Sequence, residues 1–169
     1  AAPLYVLGQP ASEALAKVAE DADLTDLIEE LSHSADILDV KTLFGPGGPI
    51  MPGETASVVV EGLGNHRYIS LVAKLITTND AFVGISNVEA PAQGSVVLMP
   101  PAYDAGAEEN TELCSDIPGP PCVNPGVRVT EGAEGYIYVH PGIAGIGDLQ
   151  PSLHDWRNPV ARITITRAK

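Results

Sequence analysis

Acidic side chains are concentrated in residues 100–123, a stretch that also contains both cysteines. Grouped carboxylates supply the hard oxygen ligands that Ca²⁺ takes in sets of about 6–8, together with backbone carbonyls and water. Asp104 and Glu108 are four residues apart around Gly106, so a curled loop could bring both to one ion. The alternative is a solvated acidic loop, which is the usual role of a run of acids. The acids of this stretch are Asp104, Glu108, Glu109, Glu112 and Asp116.

The two cysteines of the stretch suit a local disulfide. Cys114 and Cys122 are eight residues apart, with Pro-Gly-Pro-Pro between them. A disulfide implies an oxidising compartment. A metal-ligand pair is the alternative, although there is no third cysteine and zinc sites use shorter spacings. Because Pro, Gly and acids interrupt the stretch throughout, we expect neither helix nor strand in it.

The histidines and the single tryptophan offer other chemistries. His140 and His154 flank one loop and could together bind copper or zinc through imidazole. The alternative is that His140 ends a strand and His154 hydrogen-bonds within the loop. Trp156 could be a stacking platform, but aromatic side chains more often pack, so we expect it to anchor its loop.

No pattern in the chain indicates catalysis. Residues 84–88, Gly-Ile-Ser-Asn-Val, lack the last glycine of a nucleophile elbow and are typical of a strand. Neither a phosphate-binding loop nor a dinucleotide fingerprint is present in the sequence. We therefore expect a protein that is not an enzyme.

Composition and charge limit the classes of partner that this protein is expected to bind. The 169 residues fit one domain, 1–169. With 22 acids and 9 bases the formal charge is −13, which repels nucleic acid and anionic lipid and attracts cations. The sequence has no apolar run long enough to span a membrane. The first residues, Ala1-Ala2-Pro3, look like the product of processing rather than a signal peptide.

Hydrophobic periodicity predicts a mainly β fold. Ser12 and Thr25 are placed to cap two short N-terminal helices. Alternating and β-branched stretches separated by Gly and Pro then predict about seven strands. In the third of them, Ile69, Leu71, Ala73 and Leu75 should face the core. The expected class is an antiparallel, C2-like β-sandwich with two N-terminal helices. The predicted strands are 37–43, 54–61, 67–76, 82–88, 95–99, 136–139 and 160–166.

Stretches across nearly the whole chain share residues with one known family. The most specific are Thr-Asn-Asp-Ala-Phe-Val-Gly at 78–84 and Tyr-Asp-Ala-Gly-Ala-Glu at 103–108. With the others, they resemble the spondin N-terminal domain family in its bacterial form. The others are Gly-Gln-Pro-Ala-Ser at 8–12, Ala-Glu-Asp-Ala-Asp at 19–23, His-Pro-Gly-Ile at 140–143 and Asp-Trp-Arg-Asn-Pro-Val-Ala-Arg at 155–162.

The resemblance implies an extracellular β-sandwich that binds Ca²⁺ at the loops of one end and serves adhesion or matrix attachment. The Asp of the family's Asp-Ala-Gly motif, a calcium ligand, is Asp104 here. A second acid precedes the last strand, and Asp148 matches it, with Asp155 as the competing match. Glu108 would support the ion, and Asp80, at a strand start, could lie at the same end.

Bacterial members of the family usually begin with a further strand before the turn at residues 8–12. We expect this chain to lack that strand, because it starts too late to contain it. Its empty place in the sheet would expose unpaired backbone, and a strand donated by another chain would fill it. We therefore expect a secreted, extracellular or cell-surface domain, with the periplasm as an alternative, which binds Ca²⁺ and serves adhesion, matrix or filament assembly. Its partners would be proteins, matrix or copies of itself. The alternatives are a structural subunit joined by strand exchange and a copper or zinc carrier.

Overall fold

The computed structural model describes residues 3–123 and 128–168. Within them lie helices and two antiparallel sheets, in a sandwich-like arrangement. The mainly β, antiparallel class and the two N-terminal helices are thereby confirmed. Among these residues no helix combines the length and apolarity needed to cross a bilayer. In chain order the elements are α1 (Glu13–Asp21), α2 (Thr25–Ser32), β1 (Tyr68–Lys74), β2 (Ala81–Glu89), β3 (Ser95–Leu98), β4 (Ala102–Asp104), β5 (Tyr138–Val139), α3 (Pro151–His154) and β6 (Ile163–Thr166).

The first helix packs on the larger sheet through the side chains that its sequence predicts. The Ser12 side chain accepts a hydrogen bond from the N–H of Leu15 at 3.2 Å, which satisfies a free donor of the first turn. Leu15 and Ala19 are buried against Phe82 of β2. Helix α2 begins at Thr25, whose N–H is bound by the Asp23 side chain, so Asp23 takes the capping role predicted for Thr25.

The larger sheet has the order β1-β2-β4-β5, and β3 pairs with β6 in a second sheet. Strand β4 lies inside the stretch that was expected to contain no strand, so that expectation is wrong. Its three residues pair with β2 on one side and β5 on the other, and this central position overrides their turn-forming neighbours. The last strands are shorter than predicted, since β5 and β6 begin at Tyr138 and Ile163.

The buried face of β1 is the opposite of the predicted one. Val72 packs on the core and Ala73 is exposed, which corrects the predicted inward face. Val72 and Ile76 make the other face of the strand apolar too, so alternation alone did not determine which face is inward. The register shifts between Ile69 and Leu71, and the extra residue of this β-bulge lies in β2, beside Asn87, whose backbone is left-handed with φ 58°.

Two of the predicted strands, 37–43 and 54–61, are wrong for the structure as described. Both stretches lie outside strands, and residues 54–61 are exposed except for a half-buried Ala56. β-branched residues favour a strand only where a partner is available to pair with. No described residue forms a ladder with either stretch.

Candidate cation site: a buried carboxylate cluster

Two aspartates lie where β2 begins and β4 ends. Ala81 is the register partner of Asp104, so Asp80 is offset by one residue from Asp104 across the antiparallel pair. The N–H of Ala105 donates to the Asp80 carbonyl at 3.2 Å, which continues the ladder past the strand ends. Both aspartates are fully buried, with 0% of their surface exposed. The fold thus buries two carboxylates close enough for the charge of Asp104 to raise the pKa of Asp80.

The Asp80 carboxylate is only half satisfied. Its Oδ2 accepts the N–H groups of Ala107 at 2.6 Å and Glu108 at 3.1 Å, which curls residues 104–108 around it. Its Oδ1 is buried and has no hydrogen-bond partner among the described residues. A buried, unpartnered carboxylate oxygen is costly, and such an atom calls for an unseen ion, water or proton.

Asp104 is held by a fixed polar network. Its Oδ1 accepts the N–H of Gly106 at 2.7 Å, and its Oδ2 accepts the Asn110 amide at 2.5 Å. Gly106 has φ +65°, and a Cβ there would collide with the backbone of Tyr136, so the turn requires glycine. The Asn110 carbonyl accepts Nε2–H of His140 at 3.0 Å. The network fixes Asp104 but leaves the acid pair without a counter-charge of its own.

The basic side chain near the acid pair, Lys74, does not supply this counter-charge. Lys74 of β1 points inward past the bulge, and its ammonium donates to the carbonyls of Ala19 at 2.6 Å, Thr78 at 3.0 Å and Asn79 at 3.0 Å. An ammonium has three N–H donors, and all three are used by these carbonyls. Lys74 therefore adds positive charge near Asp80 and Glu108 without reaching the free oxygen of Asp80.

Burial leaves the cluster poorly ionised in the absence of a cation. Burial first, and then repulsion from Asp104, raise the pKa of Asp80 to about 8. Burial likewise raises the pKa of Asp104, although its hydrogen bonds oppose this, and raises the pKa of Glu108 to about 7. Burial lowers the pKa of Lys74 to about 8. A divalent ion would offset these costs by favouring the charged carboxylates.

Of the three predicted ligands, the structure brings the side chain of Asp104 and only the backbone of Glu108 to this cluster. Asp104 and the backbone of Glu108 both adjoin Asp80, while the Glu108 side chain turns to the N–H of Val129 at 2.8 Å. Asp148 lies elsewhere: it is exposed, and its Oδ2 accepts the N–H of Cys114 at 2.8 Å. The competing match, Asp155, accepts the N–H of Ile143 at 3.0 Å. No group of three or more His, Cys, Asp or Glu in residues 3–123 and 128–168 is arranged to hold a metal ion.

The rest of the acidic loop is fixed by contacts inside the protein. Glu112 is 4% exposed and its carboxylate accepts the N–H groups of Ala144, Gly145 and Ile146 at 2.6–3.0 Å. The predicted disulfide between Cys114 and Cys122 is confirmed. These contacts join residues 112–122 to the loop before α3. Glu112 is thus a structural anchor rather than a solvated acid.

The two histidines proposed for copper or zinc are engaged separately. His140 is buried, its Nδ1 accepts the N–H of Gly142 at 3.0 Å, and its Nε2 is held by Asn110. Nδ1 of His154 accepts the N–H of Gln150 at 2.9 Å. Trp156 packs on His140, with ring centroids 5.0 Å apart, as expected of an anchor. Burial lowers the pKa of His140 to about 4, so the ring is neutral at pH 7.

Several residues of the cluster carried no signal in the sequence. Lys74 belongs to an alternating strand, and it was placed on the face expected to point outward. Asn110 and Glu134 stand in irregular chain and meet only through the fold. Asp80 is the exception, because an acid directly before a buried strand is a readable pattern.

The donor set fits a hard cation. Three buried carboxylate oxygens have no hydrogen-bond partner among the described residues; Oε2 of Glu20 forms an ion pair with Arg128, which leaves Oδ1 of Asp80 and Oε2 of Glu134. Repulsion from Glu134 contributes to the raised pKa of Asp80, so the two acids are near neighbours. The surrounding groups are carboxylate, amide and carbonyl oxygens, which suit Ca²⁺ better than softer metals.

A comparison with protein families identifies the chain. The family model described as Spondin_N matches residues 2–115, about two thirds of the sequence. The match includes Asp80, Asp104 and Glu108, whereas Asp148 lies beyond it. No curated protein matches. Together, the family and the disulfide indicate an extracellular location. The chain belongs to the spondin N-terminal domain family.

Proposed function

We propose that this chain is a non-enzymatic extracellular domain for adhesion or matrix assembly, and that a bound Ca²⁺ completes its buried carboxylate cluster. The observation that carries the proposal is Oδ1 of Asp80, a buried carboxylate oxygen without a partner among the described residues. It lies beside a second buried carboxylate, Asp104, in a chain of net charge −13. A divalent cation would give Oδ1 of Asp80 a partner and would also offset the negative charge of the two buried carboxylates.

Asp80 and Asp104 would hold the ion, and Glu108 would support it. The ion would supply the positive charge that keeps these carboxylates ionised away from solvent. Gly106 and Asn110 orient Asp104, while the N–H groups of Ala107 and Glu108 orient Asp80. Asp148, predicted as a direct ligand, has a positioning role in this proposal because its carboxylate holds the disulfide loop at Cys114.

The extracellular location of the domain and the rigidity of its loops support an adhesive role. The ion would tie together β2, β4 and the loop that follows β4, and the disulfide and Glu112 extend that order to residues 112–146. A loop surface held in one conformation loses less entropy when a protein or matrix partner binds. The strong negative charge of the domain favours a partner with a basic surface.

The test is thermal unfolding in 5 mM CaCl₂ and in EDTA. A ligand that binds only the folded state at 100 times its Kd adds about 2.7 kcal/mol. For a domain of this size, that corresponds to a rise in Tm of about 5–10 °C. Asp104→Asn and Asp80→Asn should lose this rise, because each removes a charged oxygen ligand.

Asp36→Asn is the matched control, since Asp36 is exposed and far along the chain from the cluster. It should keep the full Ca²⁺ response. An equal Tm in CaCl₂ and in EDTA for the unmodified protein would contradict the proposal. So would a response that Asp104→Asn and Asp80→Asn both retain.

A further inference from the structure

Residues 54–61, here called the valine segment, contain three consecutive valines that are all exposed. Val58, Val59 and Val60 are 43%, 75% and 38% exposed. No backbone N–H or C=O of residues 55–60 bonds to another described residue. Exposed, unpaired backbone with β-branched side chains is the surface on which another strand adds.

The chain does not close this segment onto its own neighbour. Leu63 and His66 form a mutually hydrogen-bonded turn, at 3.2 and 2.9 Å, that leads directly into β1. A hairpin would continue from this turn by pairing residues 54–61 with β1. Instead the Arg67 carbonyl accepts the N–H of Ala90 at 2.7 Å, so the chain turns toward β2. Among the described residues the valine segment is bonded only at its two ends, where the Glu54 N–H donates to the Met51 carbonyl and the Glu61 N–H to the Asp39 side chain, both at 2.9 Å.

The molecule exposes more surface than a compact monomer. Its accessible surface is 9896 Å², whereas a compact chain of 17.6 kDa exposes about 7,900 Å². The surplus of about 2,000 Å² exceeds the roughly 800 Å² that each partner buries in a standard interface. The valine segment and its apolar neighbours contribute to that surplus. These neighbours are Phe44, Ile50, Met51 and Leu63, which are 44–75% exposed.

We infer that the valine segment pairs with the valine segment of a second copy, as an antiparallel ladder with Val59 opposite Val59. A two-fold axis makes such a contact self-complementary, with each residue facing its counterpart in the partner. In this register Val58 faces Val60, and Glu61 faces Ser57. All three valines then meet valine, which is a favourable cross-strand pair.

Charge supports the same register. Glu61 meets a serine and Glu54 meets Gly64, so no two like charges are directly opposed across the ladder. Centring the axis one residue away would place Val60 opposite Ala56, or Glu61 opposite Val59. The two copies each carry a net charge of −13 and repel at long range. Salt screens that repulsion, so the dimer should tighten as salt increases.

Cysteine cross-linking tests the register. Under mild oxidation, Val59→Cys should form a covalent dimer at least tenfold faster than Ser57→Cys or Glu61→Cys alone, because only Val59 faces itself. An equimolar mixture of Ser57→Cys and Glu61→Cys should cross-link at a rate near that of Val59→Cys. Equal rates for all single variants and the mixture would overturn the inference.

Sedimentation tests the association without a cross-link. Val59→Lys places two ammonium groups face to face and should weaken the dimer at least tenfold in Kd. Leu153→Lys is the matched control, since Leu153 is 72% exposed on α3, and it should leave Kd unchanged. Because Val59 is 75% exposed, the Val59→Lys variant should keep its Tm.

Other occupants of the segment give distinct outcomes. A monomer whose amides of residues 55–60 nevertheless resist hydrogen exchange would show that a strand of the same polypeptide covers them, and would overturn the inference. Association that Val59→Lys leaves unchanged would place the interface elsewhere and would also overturn it. The dimer should persist in EDTA, so its failure and that of the Ca²⁺ proposal are distinguishable.

Discussion

The carboxylate cluster and the stretch from residue 35 to residue 66 are both largely irregular chain, but they treat their polar groups differently. Around Asp80, Asp104 and Glu112, carboxylates collect backbone N–H groups from distant loops and are buried. In residues 35–66 most of the backbone faces solvent, and large apolar side chains are exposed. The first region holds itself together through polar contacts, whereas the second has few contacts among the described residues.

The two phenylalanines of the chain test this difference most strongly, because one lies in each region. Phe82 is 0% exposed beside Asp104's strand, and Phe44 is 60% exposed. Phe82→Ala should lower the unfolding free energy by about 3–5 kcal/mol through lost burial and a cavity. Phe44→Ala should change it by less than about 0.5 kcal/mol. Chemical denaturation of both variants measures this, and similar losses would remove the distinction between the regions.

Two glutamates, one in each region, test the same difference for polar side chains. Glu112→Ala frees three N–H groups of residues 144–146 and should cost roughly 2–4 kcal/mol. Glu61→Ala, in the exposed region, should be near neutral as a surface substitution. The readout is the denaturation midpoint of each variant. A neutral Glu112→Ala would mean that water replaces the carboxylate without loss.

The pH dependence of the cation-free protein gives a smaller effect. Because the pKa of Asp80 is raised to about 8 in the folded state, the folded protein holds a proton that the unfolded chain has released. Stability in EDTA should therefore fall as pH rises from 6.5 to 8. The lowered pKa of His140 acts in the opposite direction mainly below this window, and the lowered pKa of Lys74, about 8, partly offsets the fall at its upper end.

Asp80→Asn isolates this contribution. The neutral amide cannot release the proton, so the loss of Tm between pH 6.5 and 8 should be smaller in the variant. The remaining fall belongs to Glu108, whose pKa is raised to about 7, and to Asp104, whose pKa burial also raises. A pH profile identical to that of the unmodified protein would show that Asp80 is already ionised without a cation.

Local patterns in the sequence predicted local structure well. The Ser12 cap, the buried face of α1 and the Cys114–Cys122 disulfide are all confirmed, because each depends on residues close in sequence. Asp104 and Glu108 were singled out from their spacing and from the family motif, and the fold brings their segment to Asp80.

Features that depend on contacts between residues distant in the chain could not be predicted from the sequence. Strand β1 carries Val72 and Lys74 on its inner face, the reverse of the predicted orientation, because packing against α1 rather than alternation decided which face is inward. Strand β4 was hidden among turn-forming residues, since its pairing comes from β2 and β5. The valine segment has every local property of a strand but finds no partner in the described chain. Packing and pairing partners, rather than propensity, decided each of these cases.

Calcium titration by calorimetry tests the central claim most directly. The account predicts one Ca²⁺ per chain for the unmodified protein, with affinity reduced at least tenfold in Asp80→Asn and in Asp104→Asn. Asp148→Asn should bind with nearly unchanged affinity, because its carboxylate holds the Cys114 loop rather than the ion. The absence of binding to the unmodified protein, or binding lost in Asp148→Asn but kept in Asp80→Asn, would contradict the account.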